Sequence, residues 1–123
     1  MISLAHVNLR APQPLLDQLR DFYAEVIGLE VGPRPAFKVF GYWLYAGALP
    51  IVHLAEGDTS PVNATDKGGS FSHVAFSCDD LRAMEERLQA ARVKFRLRTV
   101  PETGVVQIFL TDPAGNGVEL QFD

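Results

Sequence analysis

The chain has 123 residues, 47% of them hydrophobic and 21% charged, the balance of one globular domain that can bury a sizeable core and not of a disordered chain. A formal net charge of -4 gives no global field for nucleic acid, and the single cysteine, Cys78, excludes an intramolecular disulfide and a cysteine-rich zinc site. No apolar run approaches the roughly 20 residues that span a bilayer, and the amino-terminal stretch lacks the basic and apolar regions of a signal peptide, so a cytoplasmic address without membrane association is expected.

In chain order, Ile2 to Arg10 predicts a strand with Ala5, Val7 and Leu9 on one face and Leu4, His6 and Asn8 on the other. Pro12 and Pro14 close it. Leu15, Leu19, Phe22, Tyr23 and Val26 then recur at helical spacing up to Gly28, which predicts an amphipathic helix over Pro14 to Ile27 with a glycine C-cap. A short strand is expected near Leu29 to Gly32, an aromatic strand over Lys38 to Ala46, and a further strand over Pro50 to Glu56 that sets Val52 and Leu54 opposite Ile51, His53 and Ala55. The polar stretch 58–69 has linker composition.

The pattern then restarts. Phe71 to Ser77 predicts a strand, Asp79 and Asp80 are caps for a helix marked by Leu81, Met84, Leu88 and Ala91, and strands follow over Lys94 to Thr99, Val105 to Thr111 and Gly117 to Phe122. The basic run Arg92, Lys94, Arg96 and Arg98 falls mostly on one solvated face of the first of these, which does not make a nucleic-acid site. Strand, helix and three strands thus occur twice, giving an α+β chain of two tandem βαβββ modules, 1–57 and 70–123, in a single domain.

Residue alignment supports a duplication. Ser3-Leu4-Ala5-His6-Val7-Asn8-Leu9 lies over Ser70-Phe71-Ser72-His73-Val74-Ala75-Phe76 at an offset of 73 - 6 = 67. Ile51-Val52-His53-Leu54 lies over Gly117-Val118-Glu119-Leu120 at an offset of 119 - 53 = 66. His6 is therefore paired with His73 and His53 with Glu119, each on the strand face opposite its apolar neighbours. Imidazole and carboxylate converging on matching faces suit a divalent metal such as Fe, Mn, Ni, Co or Zn. Alternation further places Val39, Trp43 and Tyr45 with His53, and Gln107, Phe109 and Thr111 with Glu119, so Trp43 and Phe109 are module equivalents and candidate walls of an apolar pocket. Asn8, Arg10 and Gln121 are weaker candidates for orienting a substrate; Arg34 or Arg10 could meet an anion, although the spacing favours neither.

The duplicated module, the strand histidines of Ala-His-Val-Asn-Leu and Ser-His-Val-Ala-Phe, and the closing Asp-Pro-Ala-Gly-Asn-Gly-Val-Glu-Leu resemble the vicinal oxygen chelate superfamily of glyoxalases, extradiol dioxygenases and fosfomycin- and bleomycin-resistance proteins. The resemblance covers essentially the whole chain. It implies that each module curls into half of a cup-shaped mixed sheet, that His6, His73 and Glu119 are ligands of one divalent metal, and that His53 is either a further ligand or a catalytic acid/base. It implies a small substrate bound through two adjacent oxygens, with Glu119 and His53 catalytic, Trp43, Tyr45, Phe109 and Asn8 lining the substrate, and a homodimer as the common assembly. Both a dioxygenase-related and a glyoxalase-like reaction follow from it. Phe109 stands about where extradiol enzymes of this kind carry a tyrosine, which counts against catechol cleavage. The alternatives are a metal-free protein that sequesters a ligand, as in bleomycin resistance, and a thiol transferase of the fosfomycin-resistance kind.

Overall fold

The computed structural model describes residues 1–58 and 70–123, so the segment 58–69 read as a linker lies, apart from Asp58, outside the described residues. The chain divides into two compact units, Met1–Lys67 and Gly68–Asp123. The first contains β1 (Val7–Ala11), α1 (Gln13–Asp21) continuing as a π-helical stretch Phe22–Ile27, β2 (Glu30–Gly32), β3 (Gly41–Ala46) and β4 (Leu49–Glu56). The second contains β5 (His73–Cys78), α2 (Leu81–Ala90), β6 (Arg96–Thr99), β7 (Val106–Thr111) and β8 (Gly117–Phe122). Each unit folds one four-stranded mixed sheet, in the order β1-β4-β3-β2 and β5-β8-β7-β6. The two orders are the same, as a duplicated module requires.

Each sheet joins its first and last strands in parallel and its other strands antiparallel. Val7 pairs with Val52 in one unit and Val74 with Val118 in the other, so the ladders repeat the offsets of the aligned sequences. The first strand is shorter than its hydrophobic alternation suggests, starting at Val7 instead of Ile2. Extending the β1–β4 register would set Ala5 opposite Pro50, which has no amide hydrogen to give to a ladder. The equivalent extension of β5 would set Phe71 opposite Gly115, whose φ of 88° belongs to a turn.

The helix expected over Pro14 to Ile27 is helical throughout but not uniformly α. After Asp21 the turn widens, and the Gly28 amide reaches back five residues to the Tyr23 carbonyl at 3.2 Å. The wider turn rotates Phe22, Tyr23 and Ile27 together onto the buried side, and Gly28, at φ 101°, ends it in the left-handed conformation that glycine adopts without steric cost. With Leu16 and Leu19 these residues form the helical half of the first core, while Leu44, Val52 and Leu54 form the sheet half. In the second unit Asp80 caps α2 by accepting the Ala83 amide at 3.0 Å, and Leu88 of that helix is fully buried. Ile108, Leu110, Val118, Leu120 and Phe122 are the buried apolar sheet residues there. A fully buried aliphatic side chain contributes about 1.5–3 kcal/mol.

Polar contacts fasten α1 to β3. The Tyr42 hydroxyl donates to Asp17 Oδ1 at 2.7 Å and accepts from Arg20 Nη1 at 2.8 Å, with the guanidinium 4.9 Å from the Tyr42 ring centroid. Burial, and then the hydrogen bond to Asp17, raise the Tyr42 pKa above its ordinary 10.0, although Arg20 opposes the shift. An acid whose pKa rises on folding stabilises the fold below its unfolded value and loses that contribution as pH climbs through the folded one. Tyr42→Phe is therefore expected to lower stability at neutral pH by about 1 kcal/mol. It should also flatten the loss of stability above pH 10.0, read from urea unfolding midpoints across the alkaline range.

Candidate functional site

Strand pairing alone brings the candidate residues of each unit together. β4 lies between β1 and β3, and His53 is the partner of Asn8 on one side and of Trp43 on the other. All three lie on the sheet face opposite the buried Val52 and Leu54, and His6, two residues before Asn8, lies on that face also. The rings of His6 and His53 stack at 3.8 Å between centroids and 11° between planes; His53 and Trp43 stack at 4.1 Å and 14°. His53 is the middle ring of three. Burial lowers its pKa first, then the neighbouring His6 and, last, Arg34, against an opposing hydrogen bond to the Pro50 carbonyl. Its Nε2 lies 3.0 Å from that carbonyl oxygen, which can only accept, so Nε2 carries the proton and Nδ1 keeps a lone pair.

The second unit repeats the arrangement. β8 lies between β5 and β7, and Glu119 is paired with Ala75 on one side and Phe109 on the other. The Glu119 carboxyl group is only 5% exposed. Its Oε1 lies 3.2 Å from His73 Nε2, and its Oε2 accepts from Gln107 Nε2 at 3.2 Å. His73 Nδ1 meets the Ser72 hydroxyl at 3.0 Å, and a hydroxyl can donate or accept there, so either tautomer of His73 keeps a partner. The Phe109 ring meets the His73 ring edge to face at 6.4 Å between centroids, with the Arg96 guanidinium 5.1 Å from the Phe109 ring centroid. His6–His53–Trp43 and His73–Glu119–Phe109 are thus equivalent triplets, each three strands wide.

The turn before β8 holds Glu119 in place. Asp112, buried at 4% exposure, accepts the Ala114 and Asn116 amides on Oδ1, both at 2.9 Å, and the Asn116 side chain on Oδ2 at 2.9 Å. Gly117 then lets β8 pass close to β5, because a Cβ there would come within 2.5 Å of the Ser72 carbonyl oxygen and 2.9 Å of His73 Cβ.

In the first unit the whole triplet lines a cleft; in the second His73 and Phe109 do, while Glu119 is buried. The one in the first unit is about 600 Å³ and is lined by His6, Asn8, Trp43 and His53 together with Val39 and cationic side chains. The one in the second unit is about 310 Å³ and is lined by His73, Phe109, Thr111, Ser72 and Arg96. Tyr45, expected beside Trp43, lies elsewhere: the β3–β4 register passes over Ile51 between Leu44 and Tyr45, the Tyr45 ring packs on Gly32, and its hydroxyl donates to the Pro33 carbonyl. Gln121 is paired across the ladder with Gln107. Among the described residues no group of three or more His, Cys, Asp or Glu is assembled into a metal cage; the donors come as one pair in each unit. Three contributors were not foreseen from the sequence. Ser72 aligns with Ala5 and so has no copy in the first module, Pro50 acts through its backbone, and Lys38 stands outside the strand alternation that picked out Val39 and Trp43.

Gly117→Ala is expected to destabilise the protein by about 1–3 kcal/mol, since backbone and not a flexible side chain stands in the way. Chemical denaturation against the parent chain measures it, and an unchanged midpoint would mean that the β5–β8 approach is looser than described.

A family model described as Glyoxalase/Bleomycin resistance protein/Dioxygenase superfamily matches residues 3–120. The Arabidopsis thaliana protein called Glyoxylase I 4 is 26% identical over 124 residues, covering 98% of this chain and 70% of its own. Among solved structures, a glyoxalase family protein from Bacillus anthracis superposes with a TM-score of 0.78 at 22% identity, covering 100% of this chain and 96% of the other. The fosfomycin resistance protein FosX of Listeria monocytogenes, in a complex with Mn(II) and 1S,2S-dihydroxypropylphosphonic acid, superposes with a TM-score of 0.68 at 21% identity, covering 98% and 92%. The structural likenesses speak to the fold, and the family match extends from before β1 into β8. The chain belongs to the Glyoxalase/Bleomycin resistance protein/Dioxygenase superfamily.

Proposed function

We propose that this protein is a metal-dependent enzyme acting on a small substrate through two adjacent oxygens, with His6, His53, His73 and Glu119 as donors to a divalent metal. The observation that supports this most is the equivalence of the two donor pairs. His6 with His53 and His73 with Glu119 stand at matching positions, on the sheet face opposite the apolar core residues, and are in contact. Two such coincidences have no structural reason in a sheet whose core is on the opposite face.

The donor set fits a metal chemically. His53 is held neutral with a lone pair on Nδ1 and its other nitrogen tied to a carbonyl, the arrangement that orients a ligating imidazole. Glu119 has one oxygen fixed by Gln107 and the other turned to His73. Imidazole and carboxylate suit Fe, Mn, Ni, Co or Zn. Once bound, such an ion supplies Lewis-acid polarisation of the substrate oxygens. Glu119 is then the group that moves a proton between adjacent substrate atoms, as a carboxyl shielded from water and aimed by Gln107. Trp43 and Phe109 flank the donors as apolar walls, and Asn8, level with His53, orients a polar substrate group. A glyoxalase-like proton transfer is favoured over ring cleavage because Phe109 offers no hydroxyl beside His73. A dioxygenase-related reaction remains the second reading, supported by His53, a neutral imidazole available as acid/base.

A homodimer is part of the proposal. Leu4 and Phe71 occupy equivalent positions just before the edge strands β1 and β5, and are 80% and 62% exposed.

Protein purified without chelator or histidine tag should carry about one divalent metal per chain, and His73→Ala or Glu119→Gln should weaken metal binding by about 10- to 100-fold, measured calorimetrically. Absence of stoichiometric metal, with the residual affinity unchanged in both variants, would sink the proposal.

A further inference from the structure

We infer that the cleft of the first unit is a subsite for a small anion, a carboxylate or phosphonate carried on a flat apolar body. The inference rests on the proposal that this is a substrate cleft and adds the class of molecule; it does not depend on the metal.

Three cationic side chains line this cleft, Arg10, Arg34 and Lys38, and no carboxylate does. That imbalance is local, because the chain as a whole carries -4. Among the described residues none of the three is in an ion pair, whereas Arg20 and Arg82 each are. Arg10 alternates with Asn8 and His6, which places it on the same face of β1 as the site. Arg34 gives the sharpest signal: its Nε is buried and has no hydrogen-bond partner. An inward guanidinium N–H left without an acceptor costs free energy that a ligand oxygen would recover.

The space for Arg34 is built in. A Cβ at Gly41 would come within 2.9 Å of Arg34 Nη2, as well as 2.0 Å from the Leu54 carbonyl oxygen, so a bare backbone is needed for the guanidinium to lie where it does. The guanidinium also sits 4.9 Å from the Phe37 ring centroid, which holds its plane fixed. The rest of the lining supplies the apolar half of the ligand. Phe37 and Val39 are 54% and 44% exposed, and Trp43 presents its indole beside them at 6.2 Å from Phe37. A planar ring laid on Trp43 and Phe37 would set an anionic head beside Arg34 and Arg10, neither of which is in an ion pair among the described residues. At about 600 Å³ the cleft suits a small molecule and not a macromolecule.

Trp43 is the only tryptophan in the chain and lies in this cleft, so its fluorescence reports occupancy directly. Metal-stripped protein is titrated with benzoate and phenylphosphonate, with benzamide and benzyl alcohol as neutral counterparts and benzylamine as the cation. The anions should give a saturable change that weakens with added salt, and the neutral and cationic probes should bind at least about tenfold more weakly. Arg34→Gln should weaken anion binding by about tenfold, and Lys38→Gln, at an exposed side chain, by a smaller factor. If Arg34→Gln fails to fold, as read by circular dichroism, Lys38→Gln and Arg10→Gln decide the matter. Benzamide binding as tightly as benzoate, or anion binding that is unchanged in the folded variants, would overturn the inference. Because the metal is removed, together with the chelator that strips it, before the titration, that failure is separate from a failure of metal binding, which is read from metal stoichiometry and affinity.

Discussion

The site in each unit depends on the parallel pairing of that unit's first strand with its last. Parallel neighbours have their ends at the same side, so residues far apart in sequence come abreast: Asn8 beside His53, Ala75 beside Glu119. The antiparallel neighbour then adds Trp43 or Phe109 on the other flank. Core burial locks this register. Val52 and Leu54, or Val118 and Leu120, must face the helix side, and a slip of one residue would turn them to solvent and the histidines into the core. The same hydrophobic pattern that folds the sheet thus aims the polar face.

Duplication explains why two clefts exist, and divergence explains how they differ. Where the first unit carries His53, the second carries Glu119, and the support around each has changed with it. The imidazole of His53 is held between two rings and a backbone carbonyl, and burial and the neighbouring His6 lower its pKa against that carbonyl. The carboxyl of Glu119 is held by an imidazole and an amide, the partners that a buried carboxyl group needs. Ser72 and Gly117 belong to that second arrangement, and their counterparts Ala5 and Ile51 show that the first does without them. The cations around the first cleft make a further difference, since the second is lined by only one, Arg96, already engaged with Phe109.

Much of this was legible in the sequence. Period-two alternation placed His6, His53, His73 and Glu119 on the faces where they stand, and the 67- and 66-residue offsets anticipated that the two units would repeat one another, as their ladders do. What escaped was whatever does not follow from alternation. The π-helical turn at Phe22 leaves the helical spacing nearly intact, so it looks like α-helix in a string of letters. Tyr45 is absent from the cleft lining: its ring rests on Gly32 and its hydroxyl on the Pro33 carbonyl, contacts that alternation along β3 does not reveal. Lys38 lies in an irregular segment between β2 and β3, where no periodicity says which way a side chain points; Arg34, in the same segment, was legible only as a cation that could meet an anion. Partners acting through backbone atoms, such as the Pro50 carbonyl, are invisible to any argument from residue type.

The central proposal is that both donor pairs ligate a divalent metal. X-ray absorption spectroscopy of the protein loaded with one equivalent of Mn(II) or Ni(II) tests it directly, because imidazole ligands leave a distinct outer-shell scattering pattern. The account predicts mixed nitrogen and oxygen coordination with more than one imidazole, losing imidazole scattering in His6→Ala and in His73→Ala alike. Coordination by oxygen alone, or a spectrum that changes in only one of the two variants, would contradict it.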